Sequence, residues 1–166
     1  MNRITTKIGD IFCAKLDNRT KIYFQYIAND LTMLNSSVIK VLKKIYDGDE
    51  RFSMEDVVID EIDFYAHVVI EWGIEMELWE KVGNDLDVGK TDVLFRSTLD
   101  YGHKIGEEPI KISHNWRVWK INEPFKNVGK LSGENRRAEI GIVLTPLDII
   151  DRMRTGKYHF VYPQFE

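Results

Sequence analysis

The chain has 166 residues, of which 43% are hydrophobic, 30% charged and 11% aromatic, with a net charge of −4. This composition excludes a disordered or fibrous protein and fits one globular domain, residues 1–166, with a single sizeable core. The N-terminus, "MNRITTKIGDIF", lacks the basic start and apolar run of a signal peptide, and no window approaches the ~18 apolar residues of a membrane helix, so a cytoplasmic protein without membrane contact is expected.

"GDIFCAKLD" alternates Phe12, Ala14 and Leu16 against Ile11, Cys13 and Lys15, the period of a buried strand. Cys13 is the chain's one cysteine and reads as a small core residue. "DNRT" supplies a turn, and "KIYFQYIAN" returns as the second strand of a hairpin. "NSSVIKVLKKIY" fits both a helical stripe and a strand face, and its β-branched content favours a strand. In "SMEDVVID", Ser53 and Asp56 resemble a capping box that opens a short helix.

"DFYAHVVIEW" alternates through Phe64, Ala66, Val68, Ile70 and Trp72, which predicts one strand running to Trp72. After Gly73, "IEMELWEKVG" predicts a short helix that presents Ile74, Leu78 and Val82 before Gly83 stops it. "DVLFRST" reads as a strand and "DYGHKIGEEP" as a loop. "AEIGIVLT" is a short apolar strand, and "TPLDIIDRMRTG" carries Thr145 as cap, Pro146 at the first helical position, Leu147, Ile150 and Met153 as the inward stripe, and Gly156 as the stop. "KYHFVYP" reads as a closing strand with Tyr158, Phe160 and Tyr162 together. The fold expected is α+β and β-rich, a curved antiparallel sheet or partly open barrel with a few short helices.

"NWRVWKIN" places Trp116 and Trp119 in one extended stretch. Strand alternation sends them to opposite faces, so they cannot form one stacking platform. Either both are covered by the fold, or one of them remains free to touch a partner.

Chemical motifs are absent. His67, His103, His114 and His159 are dispersed, and no HExxH, P-loop, GxSxG or strand-borne GxGxxG occurs, so no catalytic residue, metal or cofactor is assigned. His67 and Glu71 would share a strand face, which keeps open a small hydrolase or ligand-binding β-barrel with a His- and carboxylate-lined pocket. Direct nucleic-acid binding is not expected, because its basic candidates are short: Lys40, Lys43 and Lys44, or Arg136 and Arg137.

Charge distribution is the positive signal. From Asp47 to Asp87 fourteen acidic residues face two basic ones, Arg51 and Lys81, a balance of −12, whereas the rest of the chain carries thirteen acids and twenty-one bases, or +8. Internal pairing and presentation to a basic partner both account for such polarity.

The segments "IGDIF", "DFYAHVVIEWGIEMELWEKVG" and "NWRVWKIN" together resemble the immunity protein 26 family of bacterial polymorphic toxin systems. The resemblance implies a mostly β, non-enzymatic protein that binds and neutralises a cognate toxin. With the acidic segment 47–87 as interface, the candidate contacts are Asp47, Asp49, Glu50, Glu75, Glu77 and Glu80, with Trp79 as an exposed aromatic anchor.

Overall fold

The computed structural model describes residues 3–51 and 53–166. Met1 and Asn2, which begin the stretch read against a signal peptide, lie outside the described residues. Strands β1 (Asp10–Lys15) and β2 (Thr20–Asp30) form the expected hairpin. Its turn is held by the Asp17 carboxylate, which accepts the backbone N–H groups of Arg19 and Thr20 at 2.7 and 2.8 Å. The ambiguous segment resolves as β3 (Ser36–Leu42), followed by the short β4 (Tyr46–Asp47). Helix α1 (Met54–Ile59) starts where Ser53 accepts the N–H of Asp56.

Strand β5 (Ile62–Val68) stops earlier than its alternation predicts, because the chain turns into helix α2 (Ile70–Glu75). The helix thus lies one turn before its expected position, and the predicted helical stretch becomes β6 (Trp79–Asn84). The cause is the Trp79 ring. A Cβ on Gly73 would lie 2.0 Å from its carbons, so only glycine lets the helix close over it. The Trp79 indole N–H then donates to the Ile70 carbonyl at 3.0 Å, and Glu77, at φ 58°, completes the return into β6.

Strands β7 (Leu94–Thr98), β8 (Trp116–Lys120) and β9 (Lys126–Gly129) follow, the last without a sequence signal. The apolar run "AEIGIVLT" splits into β10 (Glu139–Ile140) and β11 (Val143–Leu144). Helix α3 (Pro146–Thr155) has a reciprocal capping box between Thr145 and Asp148 and a left-handed Gly156 at its end. Its inward stripe is Pro146, Ile149, Ile150 and Met153, and Leu147 is exposed instead. The closing strand is not formed. The tail makes one parallel bridge, Ile112 to Gln164, while the Tyr158 and Phe160 rings stack at 5.1 Å.

The molecule is α+β and β-rich, built on two open sheets. The first has the order β11-β5-β3-β2-β1-β6 with β4 beside β2, and the second the order β10-β7-β8-β9. Pairing is antiparallel except for two short parallel contacts, β10 with β7 and β11 with β5. The chain crosses between sheets at Gly141, where a Cβ would lie 2.3 Å from the Trp119 ring.

One face of the first sheet buries Phe12, Phe24, Val41, Phe64 and Trp79 beneath α3. Each such side chain contributes roughly 1.5–3 kcal/mol. The other face is shared. Ile11, Cys13, Tyr23, Leu42 and Tyr46 are covered by Val57 of α1, while Ile27 and Val38 meet Phe95 and Trp119 of the second sheet. Trp116 packs on the far side with Leu131 and Tyr162. Both indoles of "NWRVWKIN" are therefore core, at 1% and 2% exposure.

Candidate interaction surface

The acidic residues singled out by charge fall into two groups flanking the β1–β2 hairpin. Asp47 ends β4, whose partner is Thr20 and Lys21 of β2, and Asp49 and Glu50 follow in a turn. That turn is held by local bonds: the Asp47 N–H donates to the Glu50 carboxylate at 3.2 Å, and the Glu50 N–H donates to the Asp47 carbonyl at 3.0 Å. Glu50 also pairs with Lys44 at 3.0 Å, and this contact holds its carboxyl below the usual range.

The second group is Glu75 at the end of α2, Glu77 in the turn after it, and Glu80 on the edge strand β6, all exposed. Glu77 and Glu80 line a shallow pocket of about 370 Å³ with Lys15 and Ile74. Glu80 stands opposite Cys13, and Cys13 opposite Tyr23, whose ring meets Tyr46 edge-on at 5.0 Å. The two groups thus share one end of the sheet. Lys15 and Lys21, facing each other across the hairpin, interrupt them.

Little of the negative surplus is consumed internally. Among the described residues, ion pairs join two of the fourteen carboxylates of the segment to lysines, Glu61 to Lys43 and Glu50 to Lys44. These are solvated pairs worth about 0–1 kcal/mol each. Glu71 accepts the Thr6 hydroxyl and Asp60 the Lys44 backbone N–H, while Asp47, Asp85 and Asp87 accept backbone N–H groups of their own turns, so these acids have neutral donors. Lys81, one of the segment's two bases, is committed to the buried Asp10 outside it, at 2.8 Å.

The structure corrects the expected anchor. Trp79 is 3% exposed and packs edge-on against Phe24, so it belongs to the core and not to the surface. The exposed indole of this region is Trp72, at 54%, beside Met76 at 46% on α2. Strand alternation concealed it by placing Trp72 on the same face as Ile70. In the helix, Ile70 and Gly73 turn inward and Trp72 outward.

His67 and Glu71 do not share a strand face. His67 is fully buried, its Nε2 2.8 Å from Asp30 Oδ2. Glu71 sits on α2 and lines a separate pocket of about 440 Å³ with Thr6, Tyr26 and Asn29. Asp30 also accepts the Trp119 indole N–H at 2.9 Å and the backbone N–H groups of Asn122 and Thr32 at 3.0 and 3.1 Å. Burial alone would raise its carboxyl pKa, but the hydrogen bonds from His67, Asn122 and Trp119 outweigh it and hold the pKa at about 2. This network ties the two sheets together, and its Asp30 and His67 side chains are wholly buried.

The basic candidates are also distributed. Lys40 is buried with Nζ 3.0 Å from the Val88 carbonyl, Lys43 and Lys44 pair with acids, Arg136 pairs with Glu166 and Arg137 with Glu134. No three His, Cys, Asp or Glu side chains converge as metal ligands among the described residues, and no described helix is long and apolar enough to cross a membrane. Comparison with known proteins finds no family model, no curated protein and no solved structure that matches this chain.

Proposed function

We propose that this chain is an immunity protein that binds a basic toxin through the acidic end of its first sheet. The observation that carries the reading is the exposed set Asp47, Asp49, Glu75, Glu77 and Glu80, none of which is in an ion pair among the described residues, together with the exposed Trp72 and Met76 near Glu75 and Glu77 in the chain. An exposed indole and thioether on a segment that carries Glu75 and Glu77 supply the two ingredients of a charged interface: an apolar anchor, and a field that steers the partner and fixes its identity. The sequence resemblance to immunity protein 26 supports the same reading and suggests the partner, a toxin encoded beside the chain.

The alternative of a hydrolase or ligand-binding barrel centred on His67 and Glu71 has less support, since His67 is enclosed and Glu71 lies in another pocket. Co-expression with the adjacent toxin tests the proposal. Rescue of growth is expected, together with a complex that weakens steeply as salt rises. Trp72→Ala is expected to weaken it at least tenfold, equivalent to about 1.4 kcal/mol. Failure to rescue, with no complex on mixing, would reject the reading.

A further inference from the structure

The strongest cavity outside the acidic surface is cationic. It opens between β7, β10, the end of α3 and the C-terminal segment, has a volume of about 510 Å³, and is lined by Arg96, Arg137, Arg152 and Lys157 against one carboxylate, Glu139. These residues come from four separate parts of the chain, so no local pattern in the sequence announces them. Two rings that stack on each other, Tyr158 and Phe160, form another part of the lining.

The cations are not equally committed. Arg152 pairs with Glu139 at 3.5 Å and lies 4.0 Å over the Phe64 ring, which fixes it as part of the wall. Arg96 gives one N–H to the Ala138 carbonyl at 2.6 Å, and its buried Nε has no hydrogen-bond partner. Arg137 reaches Glu134 only at 3.6 Å, with both side chains 82% exposed, a contact a ligand displaces at little cost. Lys157 lies in the exposed turn after Gly156. The Tyr158 hydroxyl is protonated at neutral pH, as in any tyrosine, and burial pushes its pKa further up, to about 12. A desolvated arginine with an unused donor, next to two loosely held cations, matches a compact dianion better than a single carboxylate, because Arg152 offsets Glu139 and the remaining cations supply more than one positive charge. The adjoining rings match a flat group attached to it.

We propose that this cavity binds a small phosphate monoester carried on an aromatic ring system, of the size of a mononucleotide, with Arg96, Arg137 and Lys157 holding the phosphate and the Tyr158–Phe160 wall facing the ring. The site uses none of the residues of the acidic surface and stands or falls independently of the toxin-binding reading.

The test is calorimetric titration of the full chain with adenosine monophosphate, with inorganic phosphate and adenosine as separate probes. Adenosine monophosphate is expected to bind more tightly than either fragment by at least tenfold. Arg137→Ala combined with Lys157→Ala, both on exposed side chains, is expected to weaken it at least tenfold, and thermal denaturation would show the variant still folded. Absence of binding up to about 1 mM would overturn the proposal, since that limit corresponds to only about 4 kcal/mol. Equal affinity for inorganic phosphate would overturn it as well, leaving charge attraction alone, and so would unchanged binding by the double variant.

Discussion

Oδ2 of Asp30 lies 2.8 Å from Nε2 of His67, with both side chains wholly buried, and the same oxygen takes the indole N–H of Trp119 at 2.9 Å. One carboxylate oxygen thus joins β2 and β5 of the first sheet to β8 of the second. Asp30→Ala is expected to destabilise the fold by about 3–5 kcal/mol, because it leaves donors from His67 and Trp119 buried without an acceptor. Urea denaturation measures this, and a loss below about 1 kcal/mol would show the network to be dispensable.

The same carboxylate sets an acid limit. Folding depresses its pKa from 3.8 to about 2, so its contribution is fully present above about pH 4 and is lost as pH falls through about 2. Denaturation midpoints of the wild type should fall through this window. Asp30→Asn, already less stable at neutral pH, should show a shallower decline, and parallel curves would assign the acid sensitivity elsewhere.

Gly73→Ala places a methyl group 2.0 Å from the Trp79 ring. The expected cost is about 1–3 kcal/mol, accompanied by a changed tryptophan near-ultraviolet dichroism as the ring shifts. A variant with wild-type stability and spectrum would show that α2 is free to move away.

Cys13 is buried under α1, and that burial pushes its thiol pKa up. Alkylation by iodoacetamide in native buffer at pH 8 is expected to be much slower than in urea. Equal rates would place the thiol at the surface.

Trp72→Ala should leave stability within about 0.5 kcal/mol of wild type, since the indole is half exposed on a short helix. Chemical denaturation decides this independently of any partner, and a loss above about 2 kcal/mol would return Trp72 to the core.

Much of this architecture was legible wherever local chemistry and periodicity agreed. The β1–β2 hairpin has alternation on both arms and an Asp17 turn, and α3 has Thr145, Pro146 and Gly156 at their expected places. The failures arose where a distant residue decided the local structure. Val68, Ile70 and Trp72 continue a strand rhythm, yet the Trp79 ring over Gly73 forces a helix. The tail rings Tyr158, Phe160 and Tyr162 alternate like a strand but pack without a continuous ladder. For the candidate surface, charge counting located the acidic segment, whereas choosing between Trp72 and Trp79 required knowing which of two indoles α2 turns outward.

The crossing at Gly141 has a kinetic meaning. Val143 and Leu144 pair with His67 and Val68, and Glu139 and Ile140 with Phe95 and Arg96, so four residues within one short stretch close contacts with strands far back in the chain. Loop closure of that kind is slow, and during synthesis the end of β5 must wait for Val143 and Leu144 to emerge before it is covered. Until β11 docks, the end of β5 at His67 and Val68 therefore presents an open hydrogen-bonding edge, a local site of vulnerability to aggregation.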